Sequence, residues 1–277
     1  MRNVIITTVL IIFCCTAYGA QKGEEAAEKE VRIPVTSKMV SSVRINSIPG
    51  ELTVDTHRGE EIIISVSGEF EDAERTERSE GLRYIGSDNT GIGLSVTGEE
   101  KSVTISGAMN LEVLFFKGTE SDYNYTITVP ERMAIRINHG PPFLGSEAIK
   151  VKNSKKELEI KAFNTDILLE NVSGPAIINT VKGNIEGSFS ELNQENPSSI
   201  SAVTGHIDLS LPAKTRASLE ISTISGRAYT DFDFEHEKEG AQNVKRIGGG
   251  TIKGKINNGG VQMILKTVSG DVYLRKR

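Results

Sequence analysis

An acidic segment near the C-terminal end carries the sequence's densest set of groups that could do chemistry. Residues 229–239 alternate acidic side chains with two phenylalanines and a histidine. On a single strand, alternate residues share one face and lie about 6.5–7 Å apart. The carboxylates that would share that face are Asp231, Asp233, Glu235, Glu237 and Glu239.

Three interpretations of this acidic row are open. Its spacing overlaps the separation of the two carboxylates in inverting glycosidases, and carboxylate oxygens of this kind also suit Ca²⁺. The third interpretation is an acidic, solvent-exposed face over a buried pair of phenylalanines. Elsewhere the four histidines are not spaced as metal ligands, and no nucleophile-elbow motif is present. We therefore predict a protein that is not an enzyme, has no catalytic residues and needs no cofactor, with calcium left open at the acidic row.

The N-terminal segment has the pattern of an export signal. Arg2 precedes an apolar run over residues 4–15, which is shorter than a membrane span. Ala17 and Gly19 supply the small residues needed for cleavage after Gly19. The sequence therefore predicts a signal peptide at residues 1–19 and no transmembrane span after its cleavage.

Both cysteines lie inside that predicted signal, so the cleaved chain would hold no disulfide and no thiolate metal site. Phe13 stands before Cys14 where lipoprotein processing needs a small residue, so lipid anchoring is less favoured than free export. Residues 20–32 are rich in charge and predict a flexible spacer. The chain is expected to be exported to the periplasm, the outer membrane or the cell surface, or to be secreted. A net charge of -5 without a basic stripe argues against nucleic acid as a partner.

An eight-residue unit recurs through the predicted domain at residues 33–277. Its clearest copy is INTVKGNI at residues 178–185. The copies begin at residues 45, 160, 169, 178, 200, 221 and 265, with a partial copy at 256–261. A period of about 21 residues, most regular over 158–277, is typical of a solenoid, and its Ile, Val and Thr content favours strands.

Comparison of the copies predicts a role for each position. Aliphatic residues at positions one, four and eight are expected to fill the interior, and the polar residue at position two to face solvent. Small or β-branched residues at position three would let rungs stack about 4.8 Å apart. Glycines are expected at the bends between strands because they tolerate positive φ. These bend glycines are Gly50, Gly174, Gly183, Gly205, Gly226 and Gly270.

The sequence thus predicts an all-β domain, a β-solenoid of the single-stranded, right-handed parallel β-helix type. Antiparallel hairpin elements are expected in its N-terminal half. There, the strands 94–96 and 102–105 flank a turn that contains Gly98.

Several of these features together resemble a known bacterial family. They are the export signal, the segment YTITVP at 125–130 that leads into the repeats, and closing motifs such as TVSGDV at 267–272. They are similar to the exported "putative adhesin" domain family of unknown function, over about residues 33–274. The resemblance implies an extracytoplasmic β-repeat domain and supplies no catalytic residues.

The expected function is a scaffold for adhesion, with an unidentified cell-envelope protein or glycan as partner. One alternative is a carbohydrate-active β-helix enzyme of the polysaccharide lyase or hydrolase kind, against which the absence of Trp and the sparse aromatic residues count. The other is a scaffold for envelope sensing or regulation, which the sequence does not separate from adhesion.

Overall fold

The computed structural model describes residues 27–68, 88–107, 123–140, 148–236 and 250–277. Within these residues the chain forms strands and their connections and no helix. Three predictions from the sequence fall outside them: the signal peptide at 1–19, the first part of the spacer at 20–26, and Glu237 and Glu239 of the acidic segment.

Ten strands, numbered along the chain, form sheet A. In spatial order they are β1 (Ala27–Pro34), β4 (Glu61–Gly68), β7 (Asn124–Pro130), β3 (Glu51–His57), β9 (Ala148–Lys152), β11 (Asp166–Val172), β13 (Ile185–Phe189), β15 (Ile207–Leu211), β21 (Val272–Lys276) and β17 (Ala228–Thr230).

Eleven strands form sheet B. In spatial order they are β18 (Phe234–His236), β19 (Gly250–Ile256), β16 (Ala217–Ser225), β20 (Val261–Ser269), β14 (Ser198–Thr204), β12 (Ala176–Lys182), β10 (Leu158–Asn164), β8 (Ala134–His139), β2 (Ser42–Asn46), β6 (Ser102–Gly107) and β5 (Leu94–Gly98).

From β7 to β18 successive strands alternate between the two sheets. Each rung consists of one strand in sheet B and the next strand in sheet A. The rungs β10–β11, β12–β13 and β14–β15 pair in parallel through both sheets. Inward side chains from both sheets form one aliphatic core. The predicted all-β solenoid is confirmed, and so is the hairpin of β5 and β6. Antiparallel pairs also occur at the C-terminal end, where β19 pairs with β16 and β18.

The order of the rungs in space departs from the chain order at both ends. The last rung of the chain, β20–β21, lies between β14–β15 and β16–β17. At the other end, β2–β3 lies between β8–β9 and the strands β6 and β7. The expected partial copy at 256–261 is wrong, because these residues turn the chain from β19 into β20. Three successive residues with positive φ, Asn257, Asn258 and Gly259, make that turn.

The predicted spacer is wrong where it overlaps the first strand. Residues 27–32 belong to β1, which pairs antiparallel with β4 along its whole length. Val31 is buried, and Ile33 packs against the core. These two apolar side chains, two residues apart, give the strand one inward face. The domain therefore begins before residue 33.

Position one of the repeat forms an unbroken ladder through the core. Ile160, Ile178 and Ile200 are in register on neighbouring strands and fully buried. The ladder continues through Leu265 and Ile221. Burying each such side chain stabilises the fold by about 1.5–3 kcal/mol.

Positions two and three also behave as predicted. Thr180, Ala202 and Thr267 are buried in register at position three, while Asn179 and Lys266 at position two are exposed.

The prediction that position four is buried is wrong for most copies. Val181, Val203 and Val268 are 42%, 45% and 43% exposed. Successive residues of a strand face opposite sides, so a strand with positions one and three inside places position four outside. Ile48 and Val172, in the copies at 45 and 169, are the buried exceptions.

Backbone conformation explains these two exceptions. Ser47, which precedes Ile48, has a φ of 46°, and Asn171, which precedes Val172, has a φ of 58°. A left-handed residue breaks the strand alternation, so the side chain that follows it is turned inward.

Glycine is required at the bends from sheet B to sheet A because successive rungs approach closely there. The structure places Gly183, Gly205, Gly270 and Gly226 at equivalent bends, and Gly50 at the bend between β2 and β3. A Cβ on Gly205 would overlap the carbonyl oxygen of Gly183, and one on Gly270 would overlap that of Gly205.

Gly174 differs from the other predicted bend glycines. It lies at the opposite bend, from β11 back to β12, where a Cβ would overlap the carbonyl oxygen of Lys156. The copies that begin at 160 and 169 are therefore two halves of one rung, and the bend glycines belong to two separate rows.

The residue after the bend glycine links the rungs through its side chain. The backbone N–H of Asn184 donates to Asp166 Oδ1 at 2.7 Å, and that of His206 donates to Asn184 Oδ1 at 3.2 Å. Two rungs further along, Arg227 N–H donates to Asp271 Oδ1 at 2.8 Å. This position varies among Asp, Asn, His and Arg. Where it carries a carboxylate or amide oxygen, that oxygen accepts a hydrogen bond from a backbone N–H of the next rung.

This side-chain ladder predicts a difference between two substitutions at Asp166. Asp166→Ala removes the acceptor for Asn184 N–H and is expected to lower the free energy of unfolding by about 1 kcal/mol. Asp166→Asn keeps an oxygen in place and is expected to change it by less than half of that. Urea denaturation of both variants measures the effect, and equal destabilisation by the two would contradict the role assigned to the oxygen.

Candidate functional site

Five exposed apolar side chains lie side by side along the edge of sheet B. They occupy position four of consecutive rungs and are Phe163, Val181, Val203, Val268 and Ile224, here called the apolar row. Their exposed fractions run from 42% to 64%. With about 4.8 Å between rungs, the row is about 19 Å long. Its exposed area is on the order of 400 Å², the size of the largest apolar patch on a typical monomer.

The apolar row adds nothing to the core, because the opposite face of the same strands already fills it. Its edge is polar: the next residue of each rung is Asn164, Lys182, Thr204, Ser269 or Ser225. An apolar strip with a polar rim is typical of an interaction surface.

A shallow recess lies at the C-terminal end of the solenoid, across the bend glycines from the apolar row. Three rungs form it. Its lining includes two serine hydroxyls, an imidazole, two carboxylates and an aromatic ring, contributed by Ser225, Ser269, His206, Asp208, Asp271 and Tyr273. The recess exists because β20–β21 is inserted between the other two rungs. This insertion brings residues far apart in the chain to one place.

Two tyrosines stack against each other and form an aromatic surface beside the recess. Tyr229 and Tyr273 are in register on β17 and β21. Their rings are stacked, with centroids 5.2 Å apart and planes 9° from parallel. His206 meets the ring of Tyr273 edge-on at 6.4 Å. Tyr229 lies on the last strand of sheet A and is 44% exposed.

The charged groups of the recess are held by fixed partners. Arg275 donates from Nε and Nη2 to the two carboxylate oxygens of Asp208, at 2.7 and 2.6 Å. Its guanidinium also lies 5.3 Å from the centroid of Tyr273. The hydrogen bond to Asp208 raises the pKa of Arg275 above its ordinary value. The pair is solvent-exposed, so it contributes little stability, but its planar geometry fixes both side chains.

A second set of contacts holds Asp271. Tyr273 donates its hydroxyl to Asp271 Oδ2 at 3.1 Å, and this hydrogen bond raises the pKa of the tyrosine. His206, which lines the recess, has its Nε2 2.9 Å from Oε1 of Glu186, a residue outside the recess. The polar side chains of this surface are therefore pre-oriented without any ligand.

The predicted acidic row is not formed by the described residues. The segment divides between the sheets: β17 ends at Thr230 in sheet A, and β18 begins at Phe234 in sheet B. Buried Phe232 anchors the crossover between them. Asp231 and Asp233 lie in this crossover and not on a common strand face with Glu235.

The three described carboxylates of this segment have different surroundings. Asp231 Oδ1 accepts a hydrogen bond from Lys276 N–H at 2.7 Å. Asp233 projects into solvent 3.9 Å from Lys276 Nζ. Glu235 lies opposite Lys255 on β19. Across the described ranges, no three His, Cys, Asp or Glu side chains are placed to hold a metal ion.

Sequence reasoning missed both the apolar row and the recess. The sequence did contain a signal for the apolar row. Position four carries an aliphatic or aromatic residue in every copy, and it lies two residues after position two, so on a strand it faces outward as position two does. The tyrosine pair also had one: Tyr229 and Tyr273 each stand three residues after a bend glycine. The contact of Asp208 with Arg275 had none, because it depends on the insertion of the last rung.

Among proteins of curated function, none matches this sequence significantly. Two solved structures are similar to this chain. One is described as a "putative cell adhesion protein" from Clostridium sporogenes, 13% identical, with a TM-score of 0.47, covering 91% of this chain and 100% of its own. The other is described as a "putative adhesin" from Bacteroides fragilis, 9% identical, with a TM-score of 0.40, covering 92% and 100%.

In the part of the chain that the structure describes, no helix has the length and apolar character of a membrane span.

The model of a β-repeat family, Toastrack DUF4097, matches residues 23–275, nearly the whole sequence. This agrees with β1 beginning at Ala27 and confirms the family-level resemblance that the motifs predicted. The chain belongs to the Toastrack DUF4097 family.

Proposed function

We propose that this chain is an exported, non-enzymatic protein of the cell envelope or cell surface that serves as a rigid scaffold for adhesion to a protein partner. The apolar row carries the proposal. It is an exposed hydrophobic strip on a fold whose core is already complete. The partner is a protein because aliphatic side chains cannot hydrogen-bond to the hydroxyls of a glycan, whereas they pack well against an apolar strip of another chain.

The size of the row supports a limited contact that forms and dissociates. A stable interface buries about 800 Å² on each partner, and the row offers on the order of half of that. It would therefore act as the apolar centre of a wider contact with a polar rim. The parallel ladder beneath it fixes the spacing of the five side chains, so little conformational entropy is lost on binding. The N-terminal pattern supports export.

The proposal is tested by placing a photo-crosslinking amino acid at position 203 in cells that produce the protein. We expect a crosslink to one defined envelope protein. We expect none from position 210, a half-buried serine of sheet A. The exported protein is expected to begin at Ala20, which N-terminal sequencing determines.

Affinity measurements with the identified partner then use a matched pair of variants. Val203→Lys places a charge in the row and is expected to weaken binding at least tenfold, because the ammonium must be desolvated. Ser201→Lys adds the same charge two residues away on the same strand and is expected to change affinity less than threefold. Equal loss in both variants, or no crosslink from position 203, would contradict the apolar row as the adhesive surface.

A further inference from the structure

The recess at the C-terminal end of the solenoid is a second surface with a different chemistry from the apolar row. Its lining is mainly polar, and it lies against the stacked rings of Tyr229 and Tyr273. A mainly polar concave site fits a ligand with many hydrogen-bonding groups better than it fits an apolar molecule.

The aromatic surface supplies the apolar part of recognition. Stacking of Tyr229 on Tyr273 keeps both rings in one orientation, and the exposure of Tyr229 leaves part of its surface accessible. Tyrosine presents a large rigid surface with few rotatable bonds, so a ligand that packs on it costs little side-chain entropy.

The polar groups supply donors and acceptors around this surface. Arg275 uses only part of its five N–H groups on Asp208 and retains others for a ligand. The hydroxyls of Ser225 and Ser269 line the recess, and neither donates to nor accepts from another side chain or backbone group among the described residues. Each can therefore both donate to and accept from a ligand.

The charge distribution excludes two other ligand classes. An anion would meet the carboxylates of Asp208 and Asp271, while the cation of Arg275 is already paired. A metal ion would need several free ligands, but Asp208 is held in a bidentate ion pair and Asp271 accepts from Tyr273 and Arg227. A neutral ligand with several hydroxyl groups meets no such penalty.

We propose that this recess binds a neutral saccharide. A pyranose ring has a face lined by C–H groups, which would pack on the exposed ring of Tyr229, and a rim of hydroxyls. The rim would bond with the Arg275–Asp208 pair and with the two serines. Three rungs contribute to the recess, and rungs repeat about every 4.8 Å, close to the length of one sugar ring in an extended chain. An oligosaccharide could thus contact successive rungs with successive rings. The site is separate from the apolar row, and the inference does not depend on adhesion through that row.

The test is calorimetric titration of the purified protein with cellotetraose, maltotetraose and N-acetylchitotetraose. Trigalacturonate and CaCl₂ serve as the anionic and cationic probes. We expect saturable binding of at least one neutral tetrasaccharide and none of the charged probes. Since the chain lacks Trp, quenching of its tyrosine fluorescence by the same sugar provides a second readout.

Variants then assign the binding to the recess. Tyr229→Ala changes an exposed residue of a short edge strand and is expected to weaken saccharide binding at least tenfold. Arg275→Lys keeps the charge but loses the bidentate pair, and at least a fivefold loss is expected. Phe163→Ala removes a comparably exposed ring in the apolar row and is expected to leave the affinity within twofold of the unchanged protein.

Three outcomes would overturn the inference. They are no binding of any neutral tetrasaccharide at millimolar concentration, binding of trigalacturonate or Ca²⁺ in preference, and equal losses in Tyr229→Ala and Phe163→Ala. Adhesion through the apolar row is judged separately by Val203→Lys, so the two proposals can fail independently.

Discussion

Gly205→Ala is expected to lower the free energy of unfolding by at least about 3 kcal/mol. Gly205 has a φ of 135°, which alanine rarely adopts. A Cβ at this position would also overlap the carbonyl oxygen of Gly183 in the preceding rung. These two rungs can separate only by breaking hydrogen bonds such as that from Gly183 N–H to Thr204 O, 3.0 Å long. Strain and steric overlap therefore act together.

Gly250→Ala is the control for this prediction. Gly250 is an exposed strand residue, and a Cβ there would have no neighbour within 4 Å. The free energy of unfolding is expected to change by less than about 0.5 kcal/mol. Guanidinium denaturation followed by circular dichroism measures both variants. A small effect of Gly205→Ala would show that the bend can shift without cost, against the close stacking of the rungs.

The second large effect is expected from Ile200→Ala, at about 3–4 kcal/mol. Ile200 is fully buried at the middle of the position-one ladder, between Ile178 and Leu265. Truncation removes buried apolar surface and leaves a cavity that a rigid two-sheet core fills poorly.

Val203→Ala on the same strand is the matched comparison for Ile200→Ala. Val203 lies three residues further on and is 45% exposed, so its truncation is expected to cost less than about 0.5 kcal/mol. The two variants together test the inward and outward assignment of the repeat, since both residues were aliphatic candidates for the core. Similar losses in both would contradict the exposure of the apolar row.

The two proposed surfaces lie on either side of the same row of bends. Because the bend glycines carry no side chains, the outward residues before and after them remain accessible. Val268 and Ser269 precede Gly270, and Asp271 and Tyr273 follow it. The stacking that requires glycine thus also positions the apolar row and the recess at fixed spacing. A destabilised bend is expected to affect both surfaces.

Part of the candidate sites could have been predicted from the repeat alone. With Ile200 and Ala202 inward, the alternation of a strand already places Val203 outward. For the acidic segment, in contrast, strand alternation gave a wrong prediction. Its alternation of acidic and aromatic residues suits one strand, but Phe232 is buried beneath a crossover between the sheets. Alternation alone cannot show where a chain leaves one sheet for another.

The sequence by itself determined the architecture of this protein. Recurrent aliphatic, small and glycine residues specify strands, bends and a stacked core, because each type has one physical role in a rung. Only the tertiary structure decided which rungs are neighbours. The sequence places Ile200 before Ile221, yet Leu265 lies between them in the ladder. Equivalent rungs expose similar rows of backbone N–H and C=O groups. Hydrogen bonding between rungs therefore does not determine which rung lies next to which. The order is set by the turn at 257–259 that returns β20 alongside β16. That order brings Asp208 to Arg275 and His206 to Tyr273, and so forms the recess.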